Sequence, residues 1–207
     1  MGYYKLQRPA WNPRGQEVKY IVKGRVLTRG WPKAYRDARS EKQLGQRSKT
    51  EQLNGIFPKL KPLLSMGYDR GEKPNGRKIG SYQMAFGHAL RKCFSPNGSG
   101  WQLDLTRLQL TDGGALLPKR LTIKRVGDLL SVTWERLANE KEQTLLFAAK
   151  THGKNDWITK IITISPNSSR VAIELPNAWR NERLETWCAF LTVGSTLKST
   201  THYEELF

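Results

Sequence analysis

Charge is divided unevenly along this chain of 207 residues, and the division constrains what each half can become. Residues 1–100 carry 21 Lys/Arg against 6 Asp/Glu, a net charge of +15. Residues 101–207 carry 14 against 12, a net of +2. Self-repulsion at +15 destabilises a compact state unless a polyanion or an acidic surface neutralises it. Residues 115–207, within the near-neutral half, are expected to fold alone. The chain as a whole is globular in composition, at 38% hydrophobic residues with seven Trp, seven Tyr and six Phe to anchor a core.

Residues 1–16 read as an extended arm, punctuated by Pro9, Pro13 and Gly15 and charged by Arg8 and Arg14. Over 17–30, Val18, Tyr20 and Val22 alternate with Lys19, Ile21 and Lys23, and Val26 and Thr28 continue the β-branched bias. That predicts strand, with Gly24 at a bulge or bend. Ser40 followed by Gln43 fits a capping box opening a helix. Leu44, Leu53, Ile56, Phe57 and Leu60 form its loose apolar stripe, and Pro58 and Pro62 predict a break near Phe57. Residues 67–80 form a glycine-rich basic loop. A second helix is predicted from Ser81 to Phe94, with Met84, Ala85, Ala89, Leu90 and Cys93 facing inward.

Beyond Asn97-Gly98-Ser99-Gly100 the period changes from helical to alternating. Seven short runs follow, near 120–126, 129–136, 143–149, 157–164, 170–175, 184–193 and 198–204, separated by turn signals such as Gly127-Asp128 and Pro166-Asn167. Strands at that spacing predict an antiparallel β-sandwich with Trp134 and Trp187 in its core. The Cys…Trp…Cys arrangement of immunoglobulin domains is absent, which favours the fibronectin type III-like variant. The expected class is α+β in three parts. Residues 1–39 are a basic arm and strand pair, 40–100 a helical region with a basic glycine-rich loop, and 101–207 the β-sandwich.

This order of parts resembles an uncharacterised bacterial family, a domain of unknown function. The likeness rests on the basic segment from Val26 to Lys33, on Glu41–Gln46 with Arg47, and on Phe57-Pro58-Lys59-Leu60-Lys61-Pro62-Leu63-Leu64. Met84-Ala85-Phe86 and Cys188-Ala189-Phe190-Leu191 complete it. The resemblance implies a basic amino-terminal region before an immunoglobulin-like fold. It brings no activity and no functional residue.

Motifs for catalysis and metal binding are missing. His88, His152 and His202 stand in no recognisable signature, and Cys93 and Cys188 are too far apart for a disulfide framework or a zinc pattern. Glu182 with Glu185 reads as a solvated strand edge, and Glu204 with Glu205 as a chain terminus. Gly71-Glu72-Lys73-Pro74-Asn75-Gly76-Arg77-Lys78 nearly matches a phosphate-binding loop. However, Arg77 stands in place of its lysine and Lys78 in place of its magnesium-binding hydroxyl. Nucleotide hydrolysis is excluded on that ground, while a basic loop touching backbone phosphates is retained. No enzyme activity, cofactor or metal is expected.

The remaining constellation is basic and aromatic: Lys19, Lys23, Arg25, Arg29, Trp31, Lys33, Arg36, Arg39, Lys42, Arg47 and Lys49, with Tyr20 and Tyr35 among them, then Arg77 and Lys78. Closely spaced cations gain by releasing counterions from phosphates, and aromatics stack on unpaired bases. No base-reading code is visible, so contact would be directed to the backbone. The expectation is a non-enzymatic structural or assembly protein that contacts nucleic acid, in the manner of a phage virion or capsid component. The alternative is an interaction module docking on an acidic protein partner. With no signal-peptide run and no apolar stretch long enough to span a bilayer, the expected location is the cytoplasm or a particle assembled there.

Overall fold

A computed structural model describes residues 17–22, 24–30, 40–98, 100–135 and 141–207. The chain divides into two units, Met1–Ser40 and Glu41–Phe207. The arm expected over 1–16 lies outside the described residues.

In the first unit, β1 (Glu17–Val22) and β2 (Arg25–Gly30) form an antiparallel hairpin with Val22 opposite Arg25. Gly24 sits in its turn at φ +75°, a left-handed conformation that a side chain resists. Ile21 and Val26 face each other across the pair, and both are exposed, as is Leu27.

The second unit opens with α1 (Glu41–Asn54) and α2 (Phe57–Gly67). The chain breaks at Gly55-Ile56, just before the predicted point. Pro58 is accommodated in the first turn of α2, where its missing N–H has no intrahelical partner to lose. The expected break thus falls ahead of Pro58, while Pro62 lies inside the helix. Burial of Leu60, Leu63 and Leu64 offsets the lost hydrogen bond. Leu44, assigned to the apolar stripe, is instead exposed.

A two-residue ladder, β3 (Gly71–Glu72) with β4 (Lys78–Ile79), brackets the basic loop, and α3 (Ser81–Lys92) follows. The Gly80 N–H donates to the Gln83 side chain at its start. This helix ends two residues earlier than expected because Phe94 opens a hairpin of β5 (Phe94–Asn97) and β6 (Gly100–Leu103). Ala85, Ala89 and Cys93 are buried as anticipated, with Met84 and Leu90 packed beside them.

Seven strands complete the unit: β7 (Thr122–Val126), β8 (Leu129–Thr133), β9 (Gln143–Thr151), β10 (Trp157–Ile164), β11 (Arg170–Glu174), β12 (Leu184–Thr192) and β13 (His202–Leu206). They form a three-stranded sheet ordered β11-β8-β7 and a four-stranded sheet ordered β10-β9-β12-β13, every pair antiparallel. With the three helices, the class is α+β.

Alternation along β9 and β12 places these strands between two cores. Leu145, Phe147, Cys188 and Phe190 meet Ile123, Leu130, Val132 and Ile173 of the three-stranded sheet, with Trp134 at the edge. Leu146, Ala148, Trp187 and Ala189, on the opposite face, pack with Leu53, Phe57, Leu60, Leu64, Ala85 and Ala89 of the helices. The boundary drawn at residue 100 thus follows the change of secondary structure, while the second core runs across it. Among the described residues, no helix is long and apolar enough to cross a membrane.

Candidate nucleic-acid interface and a charged cleft

Helices α1–α3, the 71–79 ladder and the β5–β6 hairpin lie within a stretch, residues 41–103, that carries 11 Lys/Arg against 4 Asp/Glu. This layer covers the outer face of the four-stranded sheet, so the positive charge of the second unit is concentrated on one layer. In the strand region the cations are largely matched by carboxylates. Arg107 pairs with Asp104, Lys154 with Glu182, Arg180 with Asp128 and Lys198 with Asp69 and Asp112.

Of the predicted contact residues in this layer, Lys42, Arg47, Arg77 and Lys78 are exposed. Asn75 accepts a hydrogen bond from the Arg77 N–H, and Gly76 takes φ +75°, so the loop is a tight basic turn. Lys49 is placed differently from the others. Its Nζ lies 3.2 Å from the centroid of the Trp101 ring and 5.5 Å from that of Phe94, a cation–π contact that fastens α1 to the β5–β6 hairpin. Gln52 strengthens the fastening, donating to the Trp101 carbonyl at 2.9 Å and accepting from the Leu103 N–H at 3.2 Å. Trp101 remains 38% exposed and is an aromatic of this layer that the basic and aromatic constellation of the sequence does not include.

In the first unit, Arg25 is exposed, and the hairpin register places Lys19 opposite Thr28 and Arg29 opposite Val18. Lys23, Trp31, Lys33, Arg36 and Arg39 lie outside the described residues.

A second constellation occupies a cleft of about 480 Å³ between the 102–106 segment and the ends of β12 and β13. The sheet register builds it. Trp157, Lys150, Glu185 and Glu205 form one continuous cross-strand row over β10, β9, β12 and β13. Glu185 was read as a solvated strand edge; it is buried at 7% exposure, because its row continues the outer face of the sheet beside Trp187. Lys150, equally buried, sits 3.2 Å from Glu185 Oε1 and also donates to the carbonyls of Thr151 and Lys154.

His152 follows directly from the end of β9. Its Nδ1 lies 2.9 Å from Glu185 Oε1 and 3.4 Å from Glu205 Oε1. Arg183 Nε is 2.6 Å from the same Glu205 oxygen and holds that carboxyl below the usual carboxylate range. Desolvation, then the charges of Glu185 and Glu205, push the Tyr203 phenol upward. Asp104, Thr106, Ser95 and Gln102 complete the wall. The cleft thus brings Arg183 and His152 together with the carboxylates of Asp104, Glu185 and Glu205, with the hydroxyls of Ser95, Thr106 and Tyr203 around them. A pattern search along the sequence misses it, because its residues are 33 and 20 positions apart and meet only through strand pairing.

The two thiols are chemically quiet. Burial pushes Cys93 up to about 11 and Cys188 up to about 12, which keeps both protonated at neutral pH. No protein-family model matches the chain, and no curated protein matches it.

Proposed function

We propose that the protein is a non-enzymatic binding or assembly component that grips nucleic acid through its basic amino-terminal half and offers a fibronectin type III-like sandwich for protein contacts. One observation carries the reading: within residues 41–207 the excess positive charge belongs to the helical layer, at 11 Lys/Arg against 4 Asp/Glu, while the strand region is nearly neutral. A surface with that excess gains free energy by displacing counterions from a phosphate backbone, irrespective of base sequence. A virion or capsid component, basic toward the genome and β-rich toward its neighbours, is the role in which both halves have a use.

The strand order supports the fibronectin-like assignment. Lettered along the chain, β7, β8 and β11 take the places of strands A, B and E, and β9, β10, β12 and β13 those of C, C′, F and G. In an immunoglobulin constant-type domain the strand after C crosses to the A-B-E sheet. Here β10 stays paired with β9. No cysteine stands on β8 to bridge Cys188 of β12, in keeping with a fold closed by packing alone.

The test is binding of the full chain to short single- and double-stranded nucleic acids across a salt series. Affinity should fall steeply with salt. Reversing charge at Lys42, Arg77 and Lys78 together should weaken binding at every sequence and reduce the log–log salt slope by about one per lost phosphate contact. Binding that is unchanged by these reversals would sink the assignment. An acidic protein partner is the second reading, favoured by the exposed Arg25 on a hairpin whose edges can accept a further strand.

A further inference from the structure

Glu185 and Glu205 stand directly opposite each other on β12 and β13. Like charges in such a pair repel; Lys150 and Arg183 offset the charge of the two carboxylates from outside. The group that lies between them is His152, whose Nδ1 reaches one oxygen of each carboxylate at 2.9 and 3.4 Å. All three potential ligand atoms lie within 4.8 Å of one another, at the wall of the cleft.

We propose that this row is a binding site for a divalent transition-metal cation, zinc foremost, held by His152 Nδ1 and one carboxylate oxygen each of Glu185 and Glu205. The reading is independent of nucleic-acid binding. Ligands at about 2.1 Å from a zinc ion stand roughly 3–3.4 Å apart for bond angles between octahedral and tetrahedral. The two measured separations from His152 match that shell. One imidazole nitrogen with two carboxylate oxygens suits zinc by ligand chemistry.

In the metal-free protein the hydrogen bond from Nδ1 to Glu185 needs a hydrogen on that nitrogen. The cation takes the place of this hydrogen, and the metal-bound imidazole carries its one proton on Nε2 instead. Lys150 and Arg183 orient the two carboxylates from outside the ligand set, as second partners of their oxygens. Their positive charge also opposes the incoming ion, which sets a moderate affinity. The remaining coordination position opens to the cleft, beside Tyr203 and Asp104. Occupancy would clasp three segments: the turn after β9, the start of β12 and the last strand.

The experiment is calorimetric titration of the untagged full chain with Zn²⁺ at neutral pH, with Co²⁺ absorption as a second readout. One ion per chain should bind, and Co²⁺ should give the intense visible bands of a low-coordinate site. His152→Ala changes a half-exposed turn residue and should keep the fold; it should abolish binding. Glu205→Gln should weaken it more than about tenfold. His202→Ala, at the other strand-end histidine, should leave it intact. Absence of saturable binding, or binding that survives His152→Ala, would overturn the site and mark the ion as adventitious.

Discussion

Lys198 shows how one largely shielded cation organises distant loops. Its side chain is 10% exposed, and its ammonium lies 2.8 Å from Asp69 and 2.9 Å from Asp112. Burial works against ionisation of Asp112. The Asp69 N–H at 2.8 Å and the Lys198 ammonium outweigh it and hold the carboxyl below its ordinary value. A carboxyl depressed in the folded state takes up its proton first in the unfolded chain. Its contribution is therefore complete above the unfolded value, about pH 3.9, and is lost as pH falls through the folded one. Melting temperature should decline below about pH 4, and Asp112→Asn should flatten that decline while lowering stability at neutral pH. An acid slope identical to that of the wild type would remove Asp112 from the account.

At the scale of elements, the junctions matter more than the helices themselves. The carboxy-terminal end of α2 meets the strand region at Gly67, where an added Cβ would fall 1.9 Å from the Leu110 carbonyl oxygen. Backbone cannot yield as a side-chain tip does, so Gly67→Ala should cost about 1–3 kcal/mol in chemical denaturation. Gly55→Ala, beside the α1–α2 break, meets nothing nearer than 3.4 Å and serves as the control. Equal stability of the two variants would show that the α2 end is free to move away. The α1–β6 junction works by a different force. There, Lys49 over Trp101 and the two hydrogen bonds of Gln52 replace apolar burial, which α1 supplies only through Leu53.

For the whole molecule, the question is which residues make an independent folding unit. Trp187 is fully buried, stacked with Trp157 at 5.1 Å between centroids and tilted against Tyr203 at 5.4 Å, and its Nε1 donates to the Leu105 carbonyl. Together with Leu146, Ala148 and Ala189, it presents to the helices an apolar face that an isolated sandwich would expose to water. The expectation that residues 115–207 fold alone therefore gives way to a different prediction. A 41–207 fragment should be monodisperse and melt cooperatively, whereas 115–207 should aggregate or bind a hydrophobic dye. A soluble, cooperative 115–207 fragment would show that the helical layer is an accessory.

The local signals in the sequence determined a good deal. Alternation with turn residues located all seven strands of the two large sheets to within a few positions, because side chains on a strand must segregate every second residue. Capping and proline chemistry located the helices and the break between them. The charge count, with 15 of the 17 net positive charges in the first hundred residues, is a property of composition that no fold can alter. Only the tertiary structure decided which strands became neighbours, and with that the row from Trp157 through Lys150 and Glu185 to Glu205. It also turned Glu185 from a surface carboxylate into a buried one and placed Lys49 on Trp101, 52 residues away. The physical reason is common to these cases. Periodicity and caps act within a turn or two of backbone, whereas burial of a charge and the identity of its partner depend on register between segments remote in the chain.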